Sequence, residues 1–406
     1  MRHAEPLGLR IWFFVAIGGL IVFLGLGIRS TFGIFLAPMS LDLGWGREVF
    51  ALAIAIQNLM WGLGQPVAGM LADRFGTGRV LAVGGLFYAI GIIGMANSPS
   101  PFMFHVTGGL LVGLGLSGAS FTLVLSALGR IVPEQHRNLA FGVCTATGSM
   151  GQFLLVPMGQ AFLNSYGWSV VLILLALLVS SVIPLSIFMR GRSEETAISS
   201  KQSMKEALSE AGQHSGYIYL ILGFFVCGFH ITFVATHLPA YITDQGLSAE
   251  VGAWSLAVIG LFNVFGAIFA GILANKFQKK NLLSLIYLSR GLFMVLFILL
   301  PISQTTVLIV SAGLGISWLS TVPLTSGIVA QVFGPRYMAT LFGFVFVSHQ
   351  LGSFMGVWLG GKIFDETGSY TMVWWLSIAL ALFAALVHLP INERPLARLK
   401  AIQREL

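Results

Sequence analysis

An arginine lies inside the first long apolar run of the chain, and its charge is the strongest chemical signal in the sequence. Arg29 belongs to residues 27–32 (GIRSTF), and the surrounding run, residues 11–39, exceeds the ~20 apolar residues that cross a bilayer. A guanidinium stays protonated, and facing lipid at that depth would cost at least ~2.5–3.5 kcal/mol. Arg29 is therefore expected to face protein or water. It is either an anion-binding residue in a transport path or an Arg that snorkels or caps a helix end.

The stretch around Arg29 has a second copy later in the chain. Residues 228–233 (GFHITF) match residues 27–32, which aligns His230 with Arg29. Further pairs at the same spacing are Pro38 with Pro239, Gly151 with Gly352, Gly159 with Gly360 and Gly167 with Gly368. Two such halves imply a pseudo-two-fold axis along the membrane normal, with a site between them near the midplane. We expect Arg29 and His230 at similar depth, one on each half and both turned toward a cavity, where an anion would bridge them.

Composition places the chain in a membrane. It is 56% hydrophobic and 9% charged, whereas soluble proteins average about 25% charged residues. All but four of the 22 Lys and Arg residues fall on one side of the apolar segments, which is the cytoplasmic side by the positive-inside rule. The exceptions are Arg47 and Lys362 on the other side, and Arg29 and Arg290 within the membrane. The net charge of +7 thus reflects topology and gives no reason to expect a nucleic-acid partner.

Twelve apolar segments are long enough to span a bilayer. They are residues 11–39, 48–72, 79–98, 102–129, 138–164, 168–190, 216–241, 250–274, 281–300, 306–332, 338–361 and 370–392. All are expected to be helices, because an open sheet edge cannot satisfy its backbone in lipid. The chain is therefore predicted to be an all-α membrane protein with both termini in the cytoplasm.

The longest connection divides the chain. Residues 1–190 are predicted to form an N-terminal six-helix bundle, residues 191–215 a cytoplasmic linker, and residues 216–406 a C-terminal six-helix bundle. Within the linker, residues 203–211 are expected to form a short amphipathic helix on the membrane surface.

Two loops resemble each other and a known family. Residues 69–79 (GMLADRFGTGR) connect the second and third segments, and a weaker copy, residues 271–280 (GILANKFQKK), follows the eighth, with Asn275 in place of the acidic residue. Here the chain resembles the major facilitator superfamily, over essentially its whole length. The resemblance implies alternating access by rocking of the two halves, with a cytoplasmic latch made and broken at helix ends. The latch residues it implies are Gly69, Asp73, Arg74, Gly76 and Arg79. The alternative for Asp73 and Arg74 is a plain topology-setting turn.

The resemblance also places segments one, four, seven and ten around a central cavity. The side chains predicted to bind substrate there and on flanking segments are Arg29, Thr31, Gln57, Asn58, His230, Thr232, Trp318, His349 and Gln350. All 15 Asp and Glu residues fall in tails, loops or helix ends, so a cavity with fixed positive charge should prefer anions. Histidine is the only deep side chain that titrates near neutral pH. Proton coupling would therefore rest on His230, His237 or His349, and without it the protein would exchange one anion for another.

Among subfamilies, the chain looks most like bacterial monocarboxylate and oxalate–formate porters. The likeness lies in the twelve-segment layout, in residues 32–38 and in the cationic cavity. Those porters commonly carry an Arg where this chain has Ala267, and some carry an Asp where it has Asn263. The carboxylate assignment therefore rests on Arg29 and His230. Arg290 is expected either to contact substrate or to snorkel and fix helix packing.

The predicted function is a secondary transporter that moves a small organic anion, with a monocarboxylate preferred, as a monomer in the inner membrane. The alternatives are an exporter of amphipathic drugs or metabolites, which the 32 Phe residues would suit, and a transport-dead receptor on the same fold. An enzyme is least expected, since the sequence has no nucleophile–base pair, metal cluster or phosphate loop. Cys144 and Cys227 lie in apolar segments without ligand spacing, so no disulfide, metal or cofactor is expected.

Overall fold

The structure, a computed structural model, describes residues 8–189, 203–334 and 337–396. Within these ranges the chain forms helices and connecting turns and no β-strand. This is the expected outcome for apolar segments that must satisfy their backbone hydrogen bonds internally.

The N-terminal half supplies six spans. Span one is Leu9–Leu43, span two Arg47–Phe75, span three Thr77–Ala96 and span four Pro101–Ile131. Spans five and six share the long helix Glu134–Ser180, in which Gly167 has a non-helical backbone (φ 76°, ψ 165°). Span six then continues through Val182–Leu185 and Ser186–Met189. Glycine reaches this positive φ without the steric cost that a side chain would add, and the chain reverses there.

The C-terminal half supplies the other six. Span seven is Ser215–Asp244, span eight Ala249–Leu273, span nine Lys279–Leu299, span eleven Met338–Thr367 and span twelve Thr371–His388. Span ten is broken into two helices, Gln304–Ile316 and Thr321–Phe333. Ten stretches of the described chain are long and apolar enough to cross a membrane. One of them, Ala140–Met189, holds both spans five and six, and span two is a less apolar helix outside the ten, so the twelve predicted spans are confirmed.

The predicted helix in the linker is present as Met204–Gln213. Ser203 accepts a hydrogen bond from the backbone of Glu206, and the Glu206 carboxylate accepts one from the backbone of Ser203. This reciprocal capping box satisfies two backbone groups that a helix start leaves open, and its hydrogen bonds lower the pKa of the exposed Glu206 carboxyl. Linker residues up to 202 lie outside the described ranges.

The described residues fall into two compact units. Unit one comprises Ala235–Leu261 together with the described part of Met1–Glu195, and unit two comprises the described parts of Thr196–Val234 and Phe262–Leu406. Spans seven and eight are therefore each divided between the two units. The division of the sequence into residues 1–190 and 216–406 stays a prediction from the internal repeat.

Repeated glycines make the same kind of contact in each unit. In unit one, a methyl group on Gly27 of span one would lie 2.8 Å from the backbone carbonyl carbon of Gly151 on span five. In unit two, a methyl group on Gly352 of span eleven would lie 1.9 Å from the backbone oxygen of Phe225 on span seven. Gly228 approaches the backbone of span eleven equally closely. Small residues allow such close helix contacts in membranes, so the repeated glycines mark equivalent helix pairs.

Candidate functional site

Arg29 of span one faces span two inside unit one. Its Nη2 donates to Asn58 Oδ1 at 2.7 Å, and its guanidinium carbon lies 5.0 Å from the centre of the Trp61 ring. Asn58 is oriented for this role, because its Nδ2 donates to the Ile54 carbonyl at 2.8 Å and leaves Oδ1 to accept. Arg29 itself is half-buried, whereas Asn58 and Trp61 are buried. The amide and the indole thus hold a cation whose end is accessible.

The guanidinium of Arg29 is only partly used. Among the described residues, no carboxylate pairs with it, and its Nη1 has no protein hydrogen bond. Nε is buried and also lacks a partner. A cation inside the membrane without a counter-ion is stabilised by an anionic ligand. The planar guanidinium of arginine also presents several donors that match a carboxylate. Arg29 is accordingly the best candidate for an anion-binding group in unit one.

A polar chain extends from Trp61 along the same face of span two. Trp61 Nε1 donates to Gln65 Oε1 at 3.1 Å, and Gln65 Nε2 donates to Ser120 Oγ at 3.0 Å and to Thr122 Oγ1 at 2.6 Å on span four. Trp61, Gln65 and Thr122 were not among the residues predicted from the sequence. The sequence did contain a pattern that indicates a shared face, because Asn58, Trp61 and Gln65 recur at the three- and four-residue intervals of one helix face.

Ser30, the next residue after Arg29, faces span five instead. Its hydroxyl donates to the Leu26 carbonyl at 2.8 Å and lies 3.4 Å from Gln152 Oε1. Gln152 Nε2 in turn donates to the carbonyl of Leu256 on span eight at 2.7 Å. The segment that carries Arg29 is therefore linked through one amide to a helix from the other half of the sequence, within unit one.

Two other predicted substrate residues of unit one bond to backbone. Gln57 Nε2 donates to the Gly108 carbonyl at 3.1 Å, and Thr31 Oγ1 donates to the Ile28 carbonyl at 2.7 Å. Both side chains are fully buried. These contacts do not test whether either residue meets a substrate, so their predicted role stays a prediction.

The loop with the predicted latch residues is exposed at its charged positions. Asp73, Arg74 and Arg79 are exposed, and Gly76 ends span two at φ 94°. The Arg74 guanidinium lies 5.2 Å from the centre of the adjacent Phe75 ring. Gly69 has open space beside it.

A further arginine approaches this loop from span four. Arg130 Nη2 donates to Thr77 Oγ1 at 2.5 Å, and Arg130 interacts electrostatically with Asp73. Arg130 was not among the latch residues predicted from the sequence. The latch itself stays a prediction.

His230 of span seven is enclosed within unit two. It is 0% exposed, and its Nε2 lies 2.8 Å from the Ser377 carbonyl on span twelve. Its Nδ1 is buried without a partner among the described residues, as is the hydroxyl oxygen of Thr232, two residues further along the helix. The expectation that His230 turns toward a cavity and the binding roles of both residues stay predictions.

Arg290 of span nine is also enclosed within unit two. It is 0% exposed, and its Nη2 donates to the carbonyls of Ser317 and of Trp318, the latter at 2.9 Å. Both carbonyls lie at the break in span ten, where an interrupted helix leaves backbone oxygens without their usual donors. Its Nη1 lies 3.7 Å from the Cys227 sulfur, and the guanidinium lies 5.3 Å from the centre of the Tyr287 ring. These contacts make Arg290 a cap for the broken helix.

The remaining predicted residues are buried in unit two or in the end of span seven. His349 Nδ1 lies 3.0 Å from Gln350 Oε1, and the His349 ring stacks on Phe346 with centroids 5.7 Å apart. Asn263 Oδ1 accepts from the backbone of Leu319 at 3.0 Å, again at the break in span ten. Trp318 and His237 are also buried, and the predicted roles of these residues stay predictions. Within the described residues no three His, Cys, Asp or Glu side chains group as a metal site.

Comparisons with known proteins agree with this architecture. The pattern of the Major Facilitator Superfamily matches residues 15–357. An uncharacterized MFS-type transporter of Bacillus subtilis (strain 168), YcxA, is 25% identical over 394 residues, which cover 94% of this chain and 95% of that protein. Monocarboxylate transporter 13 of Rattus norvegicus is 25% identical over 358 residues, covering 85% of this chain and 80% of that protein.

Solved structures share the fold at low sequence identity. A bacterial homologue of the human lysosomal transporter Spinster, in an inward-facing and unoccupied conformation, gives a TM-score of 0.75 at 15% identity and covers 95% of this chain and 97% of its own. A D-xylose–proton symporter gives a TM-score of 0.70 at 15% identity and covers 95% and 98%. Similarity at this level of identity shows the fold alone.

Proposed function

Since the chain belongs to the Major Facilitator Superfamily and is a transporter by family, we propose that it moves a small organic monoanion, a monocarboxylate, across the cytoplasmic membrane by alternating access. The single observation that carries the choice of substrate is Arg29. It is an intramembrane guanidinium, half-buried and held by Asn58 and Trp61, with one terminal nitrogen free of protein partners among the described residues.

The charge of the proposed substrate follows from a comparison of the two intramembrane arginines. Arg290 is fully buried and its terminal nitrogens already contact two carbonyls and a sulfur, so it offers no accessible donor. Arg29 alone of the two leaves an accessible nitrogen. One available positive charge balances one carboxylate, while a second carboxylate would remain uncompensated in a low-dielectric site. We therefore propose a monocarboxylate, rather than a dicarboxylate, as the substrate.

The named relatives support the same substrate class. Besides the rat protein, monocarboxylate transporters 11 and 2 of Homo sapiens are 26% and 25% identical to this chain over 367 and 373 residues. Their names describe those proteins, and the identity is low. The charge and accessibility of Arg29 favour the same substrate class independently of these relatives.

The proposed topology follows the distribution of charge. The Lys and Arg residues outside the spans, apart from Arg47 and Lys362, lie at the ends predicted to be cytoplasmic. We therefore place both termini in the cytoplasm and the ends that carry Arg47 outside the cell membrane. Energy coupling is proposed as either proton symport, with His230 or His237 as the proton carrier, or exchange of one anion for another.

Uptake into proteoliposomes tests the substrate class. The probes are radiolabelled formate, lactate and pyruvate as monocarboxylates, oxalate and succinate as dicarboxylates, and ethidium as an amphipathic cation. We expect saturable uptake of at least one monocarboxylate, little uptake of either dicarboxylate, and none of ethidium. Transport of ethidium without carboxylate transport would contradict the proposal and would favour the alternative, efflux of amphipathic drugs or metabolites.

A further inference from the structure

Three hydrogen-bonded or ionic contacts are among those that join Ala235–Leu261 to the rest of unit one. Arg47 at the start of span two forms a two-pronged ion pair with Asp244 at the end of span seven, with distances of 2.6 and 2.7 Å. Asn164 on span five donates to Glu250 at the start of span eight at 2.7 Å. These two contacts lie near helix ends and are exposed or only partly covered. We call this end of unit one the Arg47 end.

The third contact, made by Gln152, lies much deeper. Its amide nitrogen donates to the carbonyl of Leu256, a residue in the second turn of span eight that is 1% exposed. Exposed ion pairs contribute little in water, whereas a hydrogen bond in a low-dielectric interior is stronger and costly to break without a replacement. Of these three contacts, the hydrogen bond from Gln152 is therefore expected to contribute most to holding Ala235–Leu261 against the rest of unit one.

Gly260 makes room for this contact. A methyl group at Gly260 would lie 2.9 Å from Cγ of Gln152, which is closer than real side-chain contacts allow. One helical turn separates Leu256 from Gly260, so the glycine leaves the Leu256 carbonyl open to a donor from span five. The carbonyl can only accept, so the amide must present its nitrogen there. Its oxygen is then directed to the Ser30 hydroxyl at 3.4 Å.

We propose that Gln152 is a positioning residue that ties the Arg29 segment of span one to span eight and stabilises the closed Arg47 end. Its amide connects Ser30, the neighbour of Arg29, with Leu256. Opening of the Arg47 end requires Ala235–Leu261 to leave unit one, and the bond from Gln152 to Leu256 must break each time. The link between this closure and an anion site rests on the function proposed for Arg29, whereas the closure itself does not.

Crosslinking at the Arg47 end measures closure directly. Asn164 and Glu250 are replaced by cysteine in a background with C144A and C227A, which leaves the Arg47–Asp244 ion pair intact. A short membrane-impermeant bis-methanethiosulfonate then reports how often the two positions are close, in membranes and without any added anion. A hydrogen bond worth ~0.5–1.5 kcal/mol corresponds to about a 2- to 10-fold change in an equilibrium constant.

We expect Q152A and Q152M each to lower the crosslinking rate by about 2- to 10-fold, because neither side chain has a donor for the Leu256 carbonyl. G260A should lower it similarly, since the added methyl displaces the amide, and G260A should add little in the Q152A background. Thr147 provides the matched control: it also lies on span five, but its hydroxyl bonds to Gly19 of span one at 2.9 Å. T147V should therefore leave the crosslinking rate unchanged.

Wild-type crosslinking in Q152M and G260A would overturn the proposal, and so would a loss in T147V equal to that in Q152A. If Q152A does not fold, Q152M and G260A still decide the outcome, because melting in detergent identifies a variant that is merely unstable. Since no anion is present, failure of this experiment leaves the Arg29 proposal standing. Conversely, failure of anion uptake leaves the crosslinking result valid.

Discussion

The two arginines inside the membrane have the same charge and opposite surroundings. Arg29 is half-buried, bonds to one amide and keeps a terminal nitrogen free of protein partners among the described residues. Arg290 is fully enclosed, and its donors meet the carbonyls at the break in span ten. An intramembrane charge is thus a functional candidate only where its hydrogen-bonding capacity is left open, and it is a structural cap where backbone oxygens use that capacity.

Replacing Arg290 should have the largest effect, and the effect should be on stability. R290M removes the donors to Ser317 and Trp318, and each buried acceptor left without a partner costs about 1–3 kcal/mol. We expect low expression and an early melting transition in detergent, with R290K intermediate because it keeps one donor group. A well-folded R290M that has lost carboxylate uptake would show instead that Arg290 contacts the substrate.

Replacing Arg29 should leave the fold intact and weaken substrate binding. Hydrogen bonds to charged groups contribute about 1.5–3 kcal/mol, so R29Q should raise the apparent Kd for a monocarboxylate roughly ten- to a hundredfold. R29K should be intermediate, because it keeps the charge and loses the planar guanidinium. The measurements are uptake kinetics and detergent melting on the same preparations. Normal uptake by R29Q, or loss of uptake only through misfolding, would remove Arg29 as an anion site.

The residues that hold Arg29 should have smaller effects on binding. N58L removes the acceptor for Nη2, and W61L removes a ring whose interaction with the cation is worth about 0.5–2 kcal/mol. Both should raise KM by about 2- to 30-fold with little change in kcat, since the charge remains but is less well positioned. A fall in kcat at constant KM would indicate that Asn58 or Trp61 acts in the conformational change rather than on the bound anion.

His230 offers the smallest and most specific test, because the repeat aligns it with Arg29 while the structure bonds it to span twelve. If it carries the coupled proton, H230Q removes the proton carrier. We therefore expect the pH dependence of uptake between about 5 and 8 to flatten, with the maximal rate changed less than in R29Q. An unchanged pH profile would exclude His230 as the proton carrier, would leave His237 or anion exchange, and would make His230 a structural contact to Ser377.

The sequence alone was sufficient to identify an all-α membrane protein, its twelve spans, the helix in the linker and the internal repeat. Length and apolar content determine whether a segment crosses a bilayer, and these are local properties. The matched glycines indicated two similar halves, and in the structure Gly27 with Gly151 and Gly228 with Gly352 each lie where two helices approach closely. The cost of burying a guanidinium likewise depends on its depth within its own span, so Arg29 was identifiable before any fold was known.

The tertiary structure alone decided which neighbour each polar side chain meets. Arg29 bonds toward span two, whereas its repeat partner His230 bonds toward span twelve, so equivalent positions do not have equivalent partners. Arg290 could not be assigned to a role until the break in span ten was seen beside it. Trp61 and Gln152 acquire their importance from residues far away in the sequence. The physical reason is that hydrophobicity is summed along one helix, whereas a hydrogen bond depends on how two helices are rotated and packed against each other.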